Sequence, residues 1–318
     1  MRVLLTGGAG FLGLALARQL KALGAEPRLL DSLRHGPAQR EAAGRAGLEL
    51  VQGDVCCARD LEAALDGADR VVHLASIAGV GPVCERPVET MRIALRGTDM
   101  LLQACRGRRI ERLVYASTSE VYGPRASCAR EDDACAVGPV GRARWTYAAA
   151  KLACEHLVMA CGAREGLPVA VLRPFNVYGP GQWGQGAVRA FVLGALEGGP
   201  LVLRGGGGQV RAWCYVDDFV QGALAALDRP EAPGRVFNLG NPEAAVSVRE
   251  LAVRVSALAG GVALVEGDAE PDEVAERTPC VERAARLLGF APRVDLDEGL
   301  RRTWDWYARA AGRRGGLP

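Results

Sequence analysis

Short apolar runs alternate with longer helical stretches over the first half of the chain. The β-like runs cover residues 2–6, 28–31, 48–52, 70–74, 112–117 and 169–173. Stretches with helical periodicity lie between them, at 11–23, 59–65, 88–105 and 147–163. Strands that alternate with helices pair in parallel, because each helix carries the chain back to the same end of the sheet. The pattern therefore predicts an α/β fold with a doubly wound parallel sheet and helices on both of its faces.

The pattern changes after Pro174, where shorter elements are joined by glycine- and proline-rich segments at 179–186, 205–208 and 230–234. We expect residues 213–227 and 235–239 to return to the first sheet. The predicted organisation is a large domain, a smaller α/β domain that covers the strand ends, and a disordered tail. The large domain comprises residues 1–175 plus about 213–240. The smaller domain comprises residues 176–212 and 241–311, and the tail comprises residues 312–318.

The charge balance is close to neutral, with 39 lysines and arginines against 37 aspartates and glutamates and a net charge of +2. This balance excludes a strongly basic nucleic-acid groove as the organising feature, so no nucleic-acid partner is expected. No apolar stretch approaches the roughly 18 residues of a membrane span, and no membrane partner is expected. Glycines at 7, 8 and 10 interrupt the N-terminal apolar run, which favours a strand and a turn over a signal peptide.

The ten cysteines show none of the spacings of a zinc site or a disulfide framework. Cys56 and Cys57 are adjacent, and the others are scattered without a Cys-x-x-Cys pair. The histidines are also far apart, at His35, His73 and His156. We therefore predict reduced cysteines, no metal site and a cytoplasmic location.

A glycine-rich segment at 6–13, with the sequence TGGAGFLG, joins the first predicted strand to the first predicted helix. Gly7 and Gly10 permit a tight turn and the close approach of a pyrophosphate to the helix N-terminus, and Gly13 lets the helix lie against the strand. Asp31 ends the second strand, where an acid accepts hydrogen bonds from both ribose hydroxyls and repels a 2′-phosphate. The cofactor predicted from this pattern is NAD, with NADP a less favoured alternative because Arg34 lies near Asp31.

Tyr147 and Lys151 lie four residues apart, which places both side chains on one face of a predicted helix. Lys21 and Lys151 are the only lysines among the 39 basic residues, so an ordinary exposed pair does not explain why a lysine is kept here. A nearby ammonium and the positive nicotinamide of an oxidised cofactor both favour the phenolate, so we expect the pKa of Tyr147 to lie below about 10. The predicted cofactor-binding residues are Gly7, Gly10, Phe11, Leu12, Gly13, Asp31, Asp54, Val55, Leu74, Ala75, Tyr147 and Lys151.

Residues 116–123, with the sequence ASTSEVYG, end the fifth predicted strand at the sheet edge where ligands bind in such folds. Together with the glycine-rich segment, they resemble the extended short-chain dehydrogenase/reductase family of NAD-dependent nucleotide-sugar epimerases and dehydratases. The resemblance covers nearly the whole chain and includes HLA at 73–75, RPFNVYG at 173–179, Arg211 with YVDD at 215–218, and RTP at 277–279. It implies a Rossmann sheet, a smaller nucleotide-sugar-binding domain, and a homodimer formed by the helices that start near residues 88 and 147.

The resemblance also implies a catalytic triad of Thr118, Tyr147 and Lys151. In this family Tyr147 would take the proton from the sugar hydroxyl at carbon 4, Thr118 would steady it, and the hydride would pass to NAD. The positions that contact the nucleotide diphosphate or the sugar in the family are matched by Asn176, Arg211 and Arg277, and arginine suits the bidentate binding of phosphate or carboxylate.

The step that follows oxidation depends on Ser119 and Glu120. A 4,6-dehydratase needs an acid to expel the hydroxyl at carbon 6, and members of that class carry aspartate where Ser119 stands. TSEVYG at 118–123, GPV at 138–140, RW at 144–145 and Arg277 in RTP instead resemble UDP-glucuronate decarboxylases. That resemblance implies that Glu120 raises the energy of a substrate carboxylate by like-charge repulsion, and that Ser119 and Arg277 help return a proton at carbon 5.

The favoured expectation is therefore decarboxylation of UDP-glucuronate to UDP-xylose, with some escape of the 4-keto pentose. A 4-epimerase of a UDP-hexose or UDP-uronate is the main alternative, because it uses the same triad and does not need Glu120. A 4,6-dehydratase and a non-catalytic NAD-binding regulator are less favoured. The intact triad argues against the regulator.

Overall fold

The structure is a computed structural model that describes residues 1–124, 126–269 and 272–312. The predicted tail lies outside these residues apart from Gly312, which ends the last helix. In chain order the strands are β1 (Arg2–Thr6), β2 (Glu26–Asp31), β3 (Glu49–Gln52), β4 (Arg70–His73), β5 (Arg112–Ala116), β6 (Ala126–Ala129), β7 (Val169–Pro174), β8 (Val177–Tyr178), β9 (Leu201–Arg204), β10 (Val210–Ala212), β11 (Cys214–Tyr215), β12 (Arg235–Leu239), β13 (Ala245–Ser247), β14 (Leu264–Gly267) and β15 (Glu276–Pro279).

The α-helices are α1 (Phe11–Ala22), α2 (Pro37–Arg45), α3 (Ala58–Ala64), α4 (Val80–Glu85), α5 (Pro87–Cys105), α6 (Thr146–Glu165), α7 (Ala187–Leu196), α8 (Val216–Asp228), α9 (Val248–Leu258), α10 (Glu282–Leu288) and α11 (Leu296–Gly312). Short 3₁₀-helices are formed by Ser119–Tyr122, Ala143–Trp145, Gly205–Gly207 and Pro242–Ala244. The strands and helices predicted in the first half of the chain are all present, with ends shifted by no more than two residues.

The central sheet has the order β12-β7-β5-β4-β1-β2-β3, and all of its neighbouring strands are parallel. Helices α1 and α8 pack together on one face, and α3, α5 and α6 pack on the other. Each face buries its own apolar cluster, with Leu16 and Phe219 on the first side and Leu101 and Val158 on the second. The prediction of a doubly wound parallel α/β sheet is therefore confirmed.

A smaller sheet of order β13-β10-β15-β6 lies beyond the central one. It is mixed, because β10 pairs antiparallel with β13 but parallel with β15, and β15 pairs parallel with β6. The pairs β8 with β11 and β9 with β14 stand apart from both sheets. The β10, β13 and β15 strands have only three or four residues each, too few for a period of two to be recognised in the sequence.

Helix α2 is absent from the sequence-based prediction. Its sequence, PAQREAAGR, is largely polar, and it buries only Gln39, Ala42 and Ala43. Pro37 stands at the start of the helix, where a missing N–H costs nothing. Packing of the two alanines against the core thus specifies a helix that hydrophobic periodicity does not indicate.

No helix among the described residues is long and apolar enough to cross a membrane. All ten cysteines fall within the described residues and are free.

Candidate active site

A cavity of about 460 Å³ opens at the carboxyl ends of β1, β2, β4 and β5, and its wall extends to Arg277 of β15. This is the position at which doubly wound sheets bind ligands. The structure brings all the predicted catalytic and cofactor-binding residues to the wall of this cavity. Of the predicted substrate contacts, Asn176 and Arg277 line it and Arg211 does not.

The glycine-rich turn between β1 and α1 forms one end of the cavity. Gly7 has a φ of +67°, and a Cβ at that position would lie 2.8 Å from the backbone of Ala75. A Cβ on Gly13 would lie 2.6 Å from the carbonyl oxygen of Gly8. The turn can therefore be built only with glycine at these positions, and it leaves an open cradle in front of the first N–H groups of α1, which suits a dinucleotide pyrophosphate.

Asp31 lies at the cavity wall where β2 ends. Its carboxylate accepts hydrogen bonds from the backbone N–H groups of Ala9, at 3.0 Å, and Leu33, at 2.8 Å. A carboxylate fixed here disfavours a 2′-phosphate on the ribose. The neighbouring Arg34, which would favour NADP, forms an ion pair with Glu89 of α5. Both observations fit NAD.

Lys151 extends from α6 into the same wall. Its Nζ donates a hydrogen bond to the carbonyl oxygen of Ala116, at 2.6 Å, and lies 4.8 Å from the centroid of the Tyr115 ring. The distance from Nζ to the centroid of the Tyr147 ring is 5.9 Å. Burial lowers the pKa of Lys151 to about 8.

The lowering of the Tyr147 pKa by Lys151 and the nicotinamide remains a prediction for the NAD-bound chain. Burial and the Glu120 carboxylate raise the pKa of Tyr147 above its ordinary value, and a hydrogen bond with Thr118 opposes them. The Lys151 ammonium donates to the carbonyl oxygen of Ala116 and is not among the groups that shift the pKa of Tyr147. The sequence places Tyr147 and Lys151 on one face of a helix, but it does not show that the Lys151 ammonium bonds the carbonyl oxygen of Ala116.

Thr118 begins the 3₁₀-helix that follows β5. Its Oγ1 accepts a hydrogen bond from the backbone N–H of Glu120, at 3.2 Å, which caps the helix. Ser119 is buried and lines the cavity, and Glu120 lines it on the same turn. The cap therefore holds Thr118, Ser119 and Glu120 together at the edge of the sheet.

Glu120 makes ion pairs with two arginines from different parts of the chain. Its Oε2 accepts a hydrogen bond from Arg144 Nη1 at 2.7 Å, and its Oε1 lies 3.6 Å from Arg277 Nη1. Arg277 is 4% exposed, and its Nε and Nη2 have no hydrogen-bond partner among the described residues. Burial lowers the pKa of Arg277, which remains a cation because the ordinary value for arginine is far above neutrality.

The other two predicted substrate contacts differ in placement. Asn176 has a φ of +38°, and its Nδ2 donates to the carbonyl oxygen of Ala212, at 3.0 Å. Arg211 is not among the residues that line the cavity; its Nη1 donates to the carbonyl oxygen of Val210, and its Nη2 lies 3.7 Å from Glu273. Burial and the nearby Arg277 lower the pKa of Arg211 to about 10. The role predicted for Arg211 remains a prediction.

Among the cavity-lining residues that sequence reasoning missed are His35, Trp183 and Gln185. The rings of His35 and Trp183 are stacked, with centroids 6.3 Å apart. Gln185 Oε1 accepts a hydrogen bond from the backbone N–H of Gly81, at 2.9 Å. Trp183 and Gln185 belong to a glycine-rich segment with no periodic pattern, so no sequence signal could place them.

Comparison with known proteins agrees with this geometry. Residues 3–240 match the model of the NAD dependent epimerase/dehydratase family. The chain belongs to this family, the extended short-chain dehydrogenases/reductases, and its cofactor is NAD.

Decarboxylases, 4,6-dehydratases and epimerases are all among the relatives. The chain is 31% identical to the UDP-N-acetyl-alpha-D-glucosaminuronate decarboxylase of Bacillus cytotoxicus, over 96% of this chain and 97% of that protein. It is 34% identical to UDP-glucuronic acid decarboxylase 1 of Danio rerio, over 97% of this chain and 73% of that protein. The solved UDP-glucuronic acid 4-epimerase of Bacillus cereus, in complex with UDP-glucuronic acid and NAD, has a TM-score of 0.86 at 28% identity and covers 96% of this chain and 98% of its own.

Proposed function

We propose that the chain is a UDP-glucuronate decarboxylase. In this proposal the sugar is oxidised at carbon 4, the resulting β-keto acid loses CO₂, and the 4-keto pentose is reduced again to UDP-xylose. The cofactor is regenerated within the cycle, so no net oxidant is consumed.

The observation that carries the proposal is the carboxylate of Glu120 in the cavity wall, next to Nε and Nη2 of Arg277, which have no hydrogen-bond partner in the described part of the chain. A guanidinium with free N–H groups suits a carboxylate on the substrate. A 4-epimerase does not require a second carboxylate at this place. Three relatives at 31–34% identity are decarboxylases of UDP-uronates by name, and one at 34% is a dTDP-glucose 4,6-dehydratase; the three decarboxylases support the proposal.

The chain's own residues account for the proton transfers. Tyr147 accepts the proton of the hydroxyl at carbon 4. Burial and Glu120 oppose its ionisation, whereas the hydrogen bond with Thr118 favours the phenolate, as the positive nicotinamide of oxidised NAD would when bound. Bound NAD supplies the hydride acceptor for oxidation and the hydride donor for the final reduction.

Loss of CO₂ needs little further chemistry once the ketone has formed, because the carbonyl accepts the electron pair released from the carboxylate bond. Arg277 orients the substrate carboxylate, and the neighbouring Glu120 disfavours its negative charge. Ser119 and Arg277 then assist the return of a proton to carbon 5. The product is a 4-keto pentose ready for reduction.

The direct test is incubation of the purified protein with UDP-glucuronate and NAD, followed by mass spectrometry of the nucleotide sugars. UDP-xylose is lighter than the substrate by one CO₂, and the escaped ketone is lighter by CO₂ and two hydrogens. An epimerised product has the mass of the substrate and would overturn the proposal. UDP-N-acetylglucosaminuronate, the substrate class named for one relative, is assayed in parallel.

Glu120→Gln should lower kcat for CO₂ release about 100-fold, because it removes a charge that acts on the reacting carboxylate. NAD affinity should stay within about twofold of the wild-type value, since Glu120 has no place in the glycine-rich cradle. Steady-state kinetics and calorimetric NAD binding measure the two effects. Glu41→Gln, at an exposed position of α2, is the matched control. Unchanged turnover in Glu120→Gln would remove this residue from the mechanism.

A further inference from the structure

Arg144 approaches Glu120 from behind the cavity wall. It belongs to the 3₁₀-helix Ala143–Trp145 that leads directly into α6, and it does not line the cavity. Its Nη1 nevertheless makes the shortest contact of Glu120 with any arginine, 2.7 Å to Oε2. The 3.6 Å separation between Oε1 and Arg277 is that of a loose ion pair. Glu120 is thus held mainly by Arg144.

The side chain of Arg144 is itself fixed. It is 12% exposed, and its guanidinium carbon lies 5.3 Å from the centroid of the Trp145 ring, a cation–π distance. Trp145 is buried and packs against Gly138. A side chain on Gly138 would clash with the indole, because its Cβ would lie 2.1 Å from Nε1 of Trp145. The glycine, the indole and the guanidinium therefore form a rigid support behind Glu120.

This support has a consequence for Arg277. A carboxylate binds a guanidinium best in a bidentate pair, in which its two oxygens accept hydrogen bonds from two N–H groups on one edge of the guanidinium. Glu120 accepts a hydrogen bond from Arg144 through Oε2 and does not pair in this way with Arg277, whose buried Nε and Nη2 have no partner among the described residues. The region also holds three guanidinium groups, Arg144, Arg211 and Arg277, against the carboxylates of Glu120 and Glu273. A further negative group is electrostatically favoured there.

We propose that Arg144 is a positioning residue that keeps Glu120 from forming a bidentate pair with Arg277, so that Nε and Nη2 of Arg277 stay unpaired and can bind the carboxylate of a uronate substrate. The inference rests on the proposed function. It assigns to Arg144 the discrimination between sugars that carry a carboxylate and sugars that do not.

The test compares the affinities of the NAD-loaded protein for UDP-glucuronate and UDP-glucose by calorimetry. The wild type should prefer UDP-glucuronate. In Arg144→Gln the freed Glu120 pairs with Arg277, so the affinity for UDP-glucuronate should fall about tenfold while that for UDP-glucose changes little. Arg142→Gln, at an exposed arginine of the same segment, should bind both sugars as the wild type does.

The double variant Arg144→Gln/Glu120→Gln decides between positioning and simple structural damage. With the competing carboxylate removed, the Arg277 fork is free again, and the preference for UDP-glucuronate should return. A merely structural loss would lower binding of both sugars and would not be rescued. Either an unchanged preference in Arg144→Gln or the absence of rescue overturns the inference.

These measurements need no turnover, so they are independent of the CO₂ assay. If the binding pattern holds but the wild type releases no CO₂, the proposed reaction fails and the role of Arg144 stands. If CO₂ is released but the variants bind as the wild type does, the reaction stands and the role of Arg144 fails.

Discussion

The ammonium of Lys151 is buried beside aromatic rings and bonded to a single carbonyl oxygen. Burial favours the neutral amine, which is why the pKa of this lysine falls to about 8. Burial of the Lys151 ammonium therefore costs free energy in the folded chain, a feature that often marks functional sites. The retention of lysine at this position, in a chain that otherwise uses arginine, fits a requirement for a group of tunable pKa.

Lys151→Met should change stability in a way that depends on pH. The pKa of Lys151 is about 8 in the folded chain against 10.5 for the free side chain, so the cost of burying the ammonium is present in full below about pH 8 and vanishes as the pH rises towards 10.5. The free energy of unfolding of the variant minus that of the wild type should therefore be most positive at about pH 7 and fall by about pH 10. Urea unfolding at the two pH values measures it.

Lys21→Met serves as the control, because Lys21 is exposed and its Nζ contacts only backbone carbonyls. The free energy of unfolding of Lys21→Met minus that of the wild type should not fall between about pH 7 and pH 10. A difference for Lys151→Met that is constant over the pH range would contradict the assigned environment of this ammonium.

At the scale of elements, the regular part of the fold could be predicted and the irregular part could not. β1 contains an apolar run at residues 3–5, β5 contains one at residues 113–116, and α5 carries a clear 3.6-residue period, so hydrophobic patterning is enough to predict these elements. The polar α2 and the strands of the smaller sheet are specified by tertiary packing, which a periodicity search does not see. The site follows the same division: the glycine turn and Tyr147 were predictable, whereas the contact of Arg144 with Glu120 depends on how two distant segments meet.

Helix α6 is fixed to the central sheet by one buried ion pair. Glu155, one turn beyond Lys151, accepts hydrogen bonds from Arg173 Nε at 3.0 Å and Arg173 Nη2 at 2.7 Å, and each side chain is 5% exposed. The pair joins the helix that carries Tyr147 and Lys151 to β7. It therefore sets the position of the catalytic face of α6 against the strand ends.

Arg173→Met should lower the free energy of unfolding by about 3–5 kcal/mol, because it leaves the Glu155 carboxylate buried without its partner. The double variant Arg173→Met/Glu155→Leu should recover most of the loss. Urea denaturation measures both. Arg301→Met, which removes an exposed pair with Glu298, should change stability by no more than about 1 kcal/mol and is the control. A similarly small effect of Arg173→Met would show that the buried pair contributes nothing to the position of α6.

At the scale of the whole molecule, buried hydrogen bonds of Asn238 fasten the two sheets together. This residue of β12 donates from Nδ2 to the carbonyl oxygens of Ala129, at 2.8 Å, and Cys280, at 3.1 Å, which lie at the ends of β6 and β15. Its Oδ1 accepts a hydrogen bond from Tyr122. We propose that the predicted division into two domains describes where ligands bind rather than how the chain unfolds. The homodimer remains a prediction from the family resemblance.

A chain fastened in this way should unfold in one cooperative transition that responds to ligands on either side of the cavity. NAD or UDP, each at about 100 times its dissociation constant, should add about 2.7 kcal/mol to the free energy of unfolding of that single transition. Scanning calorimetry with each ligand measures the shift. In Gly7→Val the NAD shift should disappear, because the new Cβ meets the backbone of Ala75, while the UDP shift should remain. Two transitions, one shifted only by NAD and the other only by UDP, would mean that the sheets unfold independently and that the Asn238 contacts do not couple them.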